Sequence, residues 1–157
     1  MKKQTIDNYF TNIFKDEKKI FALGLPITLL YKKMFNHNNN ILQSKYDLNH
    51  SELDVLASLS YNGKVLSPTE LYETTIFSSG GMTKILKKLQ EKKLIKRIPS
   101  KEDKRSMLVQ IEPKGEQLVE DSLLDIAEFE DGLFSVLDDS ERDNLKQILQ
   151  KLVYSSL

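Results

Sequence analysis

A chain of 157 residues with 39% hydrophobic and 29% charged residues holds enough apolar material for one core plus an appended helical region, and is not composed like a disordered segment. It has no cysteine, which excludes a disulfide framework, a thiolate metal site and a thiol redox sensor. Its 23 basic and 23 acidic groups cancel overall but are unevenly placed: residues 84–105 carry a net +7 and residues 112–143 a net −10. Such a cationic stretch is either a solvated helix face or a landing place for a polyanion.

The opening Met1-Lys2-Lys3-Gln4 is followed by neither an apolar h-region nor a small-residue cleavage site, so a cytoplasmic protein is expected. A first helix is predicted from about Asp7 to Phe21. A longer one follows from about Leu25 to Tyr46, with Pro26 at its first position, where a missing N–H removes no helical bond. The apolar stretch Phe21–Tyr31 ends at Lys32-Lys33 and is too short to span a bilayer, so no membrane partner is expected.

Asn49 with Glu52 three residues on is a capping-box pattern, and Leu53, Leu56, Ala57 and Ser60 then mark the inner side of a helix. Ser67-Pro68-Thr69-Glu70 is another helix start, with serine as cap, proline in the first turn and glutamate third. Leu71 and Ile76 turn that short helix inward. A third helix is predicted from Ser78, with Met82, Ile85, Leu86 and Leu89 at offsets 0, 3, 4 and 7 forming its buried face. The period then changes to that of strands at Ile95–Ile98 and Met107–Ile111, around a charged tip from Pro99 to Ser106. Pro113 begins a long acidic helix carrying Val119, Leu123, Ile126, Phe129 and Leu133. Asp138 with Glu141 opens the last, carrying Leu145, Ile148, Leu149 and Leu152.

The fold expected is therefore mainly α with a small β-hairpin wing: a winged helix-turn-helix between N- and C-terminal helices. On the outward face of the third helix lie Ser78, Ser79, Gly80, Thr83, Lys84, Lys87 and Lys88. Small residues at its start let backbone approach a nucleic acid closely, and the lysines neutralise phosphates. Ser67 and Thr69, at the start of the preceding helix, join them, as do Lys101, Asp103, Lys104, Arg105 and Ser106 in the wing. An arginine at a wing tip suits the negative potential of a minor groove.

Residues 67–115 carry a more specific pattern, running from Ser-Pro-Thr-Glu-Leu through Ser-Ser-Gly-Gly-Met-Thr-Lys to Glu-Asp-Lys-Arg-Ser-Met-Leu-Val-Gln-Ile-Glu-Pro-Lys-Gly. In this the chain resembles the MarR family of transcriptional regulators, whose wing reads Asp-x-Arg, then an alternating strand, a threonine and a glycine. Asp103, Arg105 and Gly115 match that pattern, while Glu112 stands in the threonine's place and alters the cap of the helix behind it. The resemblance implies that Asp103 holds the wing and that Arg105 touches DNA. It also implies a homodimer joined by the terminal helices, and a repressor that binds double-stranded DNA at a pseudo-palindromic operator. Residues 1–46 and 113–157 are then the dimerisation regions, and 47–112 the DNA-binding domain. Family members often release DNA on binding a small aromatic effector, for which Tyr31, Phe35, Tyr61 and Tyr72 are the candidate lining, although ordinary core or interface packing explains each of them as well.

Other chemistries find less support. Gly80-Gly81 lacks the spacing of a phosphate loop. His50-Ser51-Glu52 resembles the H-x-E of zinc deaminases, but their cysteine ligands are missing. No catalytic cluster and no cofactor are expected. A winged-helix module for protein contact would call for a neutral or acidic third helix, and this one is basic.

Overall fold

The computed structural model describes residues 3–15, 21–75, 81–100 and 106–156. In chain order these form α1 (Lys3–Lys15), α2 (Phe21–Tyr46), α3 (His50–Tyr61), β1 (Val65–Leu66), α4 (Pro68–Thr74), α5 (Met82–Glu91), β2 (Ile95–Pro99), β3 (Met107–Ile111), α6 (Pro113–Phe134) and α7 (Asp139–Tyr154). Two compact units result, residues 1–40 and 41–157.

The first unit consists of α1 and the larger part of α2, and both helices differ from expectation at their ends. The first begins at Lys3 rather than Asp7, and Phe21 opens the second helix instead of closing the first. Pro26 consequently sits inside α2, not at its first position. Past the first turn a proline leaves one carbonyl without its usual helical donor, here that of Ala22. Two residues further on, the Thr28 hydroxyl donates to the Gly24 carbonyl at 2.9 Å.

The second unit is organised around α3. Asn49 caps it: its side chain accepts from the Glu52 N–H at 2.9 Å, and the Glu52 carboxylate accepts from the Asn49 N–H at 3.1 Å. Seven of its twelve residues are buried, Leu53, Leu56 and Leu59 among them, as a helix surrounded on all sides must be. Its neighbours are α4, α5, α6 and β3. The helix ends with Gly63 at φ 89°, and the Lys64 N–H donates to the Leu59 carbonyl, a Schellman closure.

The sheet has three antiparallel strands in the order β1-β3-β2. The expected hairpin is present, with Ile95 opposite Ile111 and Arg97 opposite Val109. The strand the sequence did not suggest is β1, whose two residues pair Val65 with Gln110 and Leu66 with Val109. The core lies where the sheet meets the helices: Leu66, Ile95, Val109 and Ile111 from the strands, Leu71, Leu86 and Leu89 from α4 and α5, and Val119 from α6. By contrast α7 contributes no buried residue.

Candidate nucleic-acid interface

Two short helices and the sheet present the surface to which the sequence pointed. Ser67 initiates α4 through a second capping box, its hydroxyl accepting from the Glu70 N–H at 3.2 Å while its own N–H donates to the Glu70 carboxylate at 2.6 Å. Those hydrogen bonds with Ser67 hold the Glu70 carboxyl below the usual carboxylate range. The Ser67 hydroxyl is thus engaged in the cap, while Thr69 stands exposed beside it.

The described part of the basic helix begins later than Ser78. Its N-cap is Gly81 at φ 89°, a left-handed conformation that ends any continuous helix from further upstream. Gly81 therefore precedes the amphipathic helix instead of lying within it, because a residue at positive φ cannot occupy a helix interior. Ser78, Ser79 and Gly80, along with Ile76, lie outside the described residues.

From Met82 onward the expected faces are met. Leu86 and Leu89 are buried and Met82 and Ile85 pack against the core, while Thr83, Lys84, Lys87 and Lys88 are exposed. The lysines are not equivalent. Among the described residues Lys84 has no ion-pair partner, and Lys87 lies 3.9 Å from Glu91 of its own helix. Lys88, which the sequence suggested as a phosphate contact, reaches back 3.3 Å to the buried Glu52 of α3. Lys92, one turn on, lies 3.5 Å from the same carboxylate and 3.2 Å from Asp47, whose carbonyl it also meets.

In the wing, Lys101, Asp103, Lys104 and Arg105 fall outside the described residues. Ser106 is half-buried, and its carbonyl accepts from the Ser100 N–H at 3.0 Å, extending the hairpin beyond its strands. Arg97 on β2 is exposed, with no ion-pair partner among the described residues. It falls within the basic run 84–105, where no motif in the sequence singles it out. Its neighbour Lys96 pairs with Glu112 at 2.7 Å. This accounts for the altered cap: the Glu112 side chain makes no capping hydrogen bond to α6 and is spent on the wing strand.

The base of the wing also rests on Gly115. A Cβ there would come within 2.5 Å of the Leu94 carbonyl oxygen, so α6 approaches the start of β2 at a distance that excludes a side chain. Behind α3, Tyr46 donates to Asp125 at 2.7 Å and Lys45 pairs with the same carboxylate at 2.8 Å, tying the end of α2 to α6. Burial and then the Asp125 hydrogen bond push the Tyr46 phenol up to about 12, and the Lys45 and Tyr46 hydrogen bonds hold Asp125 below its ordinary range.

The four aromatic candidates divide between the two units. Tyr31 and Phe35 are ring neighbours in the first, with centroids 5.6 Å apart. Tyr61 and Tyr72 are exposed in the second. Among the described residues no group of three or more His, Asp or Glu side chains is placed to hold a metal ion, and no helix is long and apolar enough to cross a membrane.

A short capped helix and then a basic amphipathic helix, followed by an antiparallel hairpin that a third strand completes, define a winged helix-turn-helix. The MarR family model matches residues 46–106. The transcriptional regulator MhqR of Bacillus subtilis is 29% identical over 136 residues, 86% of this chain and 92% of that protein. The multiple antibiotic resistance protein MarR of Salmonella typhimurium is 32% identical over 102 residues, covering 65% and 69%. A mutant Escherichia coli MarR in complex with operator DNA superposes with a TM-score of 0.69 at 26% identity, over 85% of this chain and 95% of that one. The chain belongs to the MarR family, and is a transcriptional regulator, not an enzyme.

Proposed function

We propose that the chain is a cytoplasmic repressor that binds a pseudo-palindromic operator as a homodimer. The observation that carries this reading is the outward face of α5, where Lys84 and Lys87 stand exposed opposite the apolar face that docks the helix on the core. In the major groove that face gives phosphate contacts from the two lysines, while Thr83, with Ser78, Ser79 and Gly80, supplies contacts near the base edges. Ser67 and Thr69 meet the flanking backbone. Lys101, Lys104, Arg105 and Ser106 bring the wing to the minor groove, with Asp103 holding Arg105 and with Arg97 adding a cation at the wing's base. That an E. coli relative has been solved in complex with operator DNA supports operator binding.

Residues 47–112 act as the DNA-binding domain, and 1–46 and 113–157 as dimerisation regions. Support comes from α7, whose Ile148, Leu152 and Val153 are more than half exposed, and from an apolar groove of about 730 Å³ that Phe134, Leu137, Leu145 and Leu149 line between α6 and α7. Apolar surface of that extent calls for a partner, and a two-fold partner places two reading helices about 34–36 Å apart. A small aromatic effector releases the operator.

Fluorescence anisotropy tests the reading directly: a labelled fragment from upstream of the gene, and a scrambled one, titrated at two salt concentrations. Tight, salt-sensitive binding that prefers the native fragment is expected. Equal affinity for both fragments would refute sequence-specific regulation.

A further inference from the structure

Three lysines of the basic helix region, Lys84, Lys88 and Lys92, follow one another at four-residue spacing, yet they serve different ends. On a helical projection Lys84 and Lys87 lie opposite the apolar stripe, whereas Lys88 and Lys92 flank it on one side. Both flanking ammonium groups converge on Glu52, which is 2% exposed. Its Oε2 closes the α3 capping box on the Asn49 N–H and faces Lys92, while Oε1 accepts no hydrogen bond and has Lys88 at 3.3 Å.

A buried carboxylate demands compensation, and this one draws its charge compensation from the reading helix. An apolar stripe fixes how deep a helix sits but resists rolling weakly, since hydrophobic contact is non-directional. An ion pair on one flank opposes roll. A roll of about 20° moves an atom 6 Å from the axis by about 2 Å, which breaks a base-edge hydrogen bond but leaves a phosphate contact within reach of a lysine.

We propose that Glu52 is a positioning residue for sequence readout: through Lys88 and Lys92 it sets the roll of α5, so that Lys88 is held for docking and is not spent on phosphate. The inference rests on the DNA-binding reading above. It adds that specificity depends on a carboxylate facing the core, on a helix that carries none of the proposed DNA contacts.

Two variants test it, each titrated against native and scrambled fragments over a range of salt. Glu52→Gln keeps the capping acceptor, since glutamine also serves a capping box, but removes the charge. Its preference for the native fragment is expected to fall at least about fivefold, and its salt slope to steepen by up to about 0.9 as Lys88 becomes free to meet a phosphate. Lys88→Met, which needs no buried change, is expected to lose preference without any fall in slope. A purely structural role for the pair would leave preference and slope of the folded variants at their wild-type values, and that result overturns the proposal. So does a Lys88→Met slope lower by about 0.9 with preference intact, which marks Lys88 as a phosphate contact. The wild-type titration separates the two levels: if the unaltered protein shows no preference, the DNA-binding reading fails and this one with it.

Discussion

Replacing Gly115 by alanine should destabilise the protein, although alanine is the better helix former. In an exposed helix interior the exchange stabilises by about 1 kcal/mol. Here the new Cβ meets the Leu94 carbonyl oxygen at 2.5 Å and Ile111 Cγ1 at 3.0 Å. Overpacking of this kind costs about 1–3 kcal/mol. The obstructing carbonyl is also the acceptor of the Glu112 N–H at 2.9 Å, a bond worth about 1 kcal/mol that displacement would weaken. The net loss is about 2 kcal/mol, or a Tm lower by about 4–8 °C for a chain of this size. Urea and thermal unfolding at one fixed protein concentration read it directly, since association shifts apparent stability. Gly132, in the same helix, is the control: nothing lies within 4 Å of its Cβ position, and Gly132→Ala should stabilise by about 0.5–1 kcal/mol. A Gly115→Ala variant as stable as wild type would refute the close approach of α6 to the wing.

The Tyr46 phenol, pushed up to about 12, favours its neutral form in the fold, so its stabilising contribution is complete below pH 10 and is lost as pH rises towards 12. Alkaline titration followed by tyrosinate absorbance should show a late step that Tyr46→Phe abolishes. Asp138→Ala removes the side-chain acceptor of the α7 capping box and should cost about 1 kcal/mol in chemical denaturation, whereas Asp138→Asn should cost little. Lys87→Ala should weaken binding to native and scrambled DNA alike, and lower the salt slope by about 0.9; an unchanged slope would remove Lys87 from the interface.

What the sequence made legible was what short-range chemistry encodes. Asn49 with Glu52, Ser67 with Glu70 and Asp138 with Glu141 each form the capping box their three-residue spacing suggested, because donor and acceptor are neighbours in the chain. The inward face of α5 followed from periodicity, and so did the pairing of β2 with β3. Two residues cannot display a period, and β1 was missed. The start of α2 was misjudged because proline is a good initiator that does not report on what precedes it, and that of α5 because serine, also a good initiator, does not report that the glycine three residues on takes a positive φ. The Glu52 pairings join residues 36 and 40 positions apart, and only the packing of α3 against α5 brings them together.

The brevity of β1 bears on how this chain can vary over evolutionary time. Between α3 and α4 the backbone takes two successive positive φ values, 89° at Gly63 and 70° at Lys64, before Leu66 enters the core and Ser67 caps the next helix. The Lys64 carbonyl accepts from the Ile111 N–H at 3.0 Å, so the turn itself is stitched to the central strand. Gaining or losing one residue would turn Leu66 outward or displace the cap, because strand faces alternate with every residue. Insertions and deletions should therefore be rarer between residues 62 and 67 than connecting segments ordinarily permit, which makes this turn a fixed ruler between the central helix and the reading head.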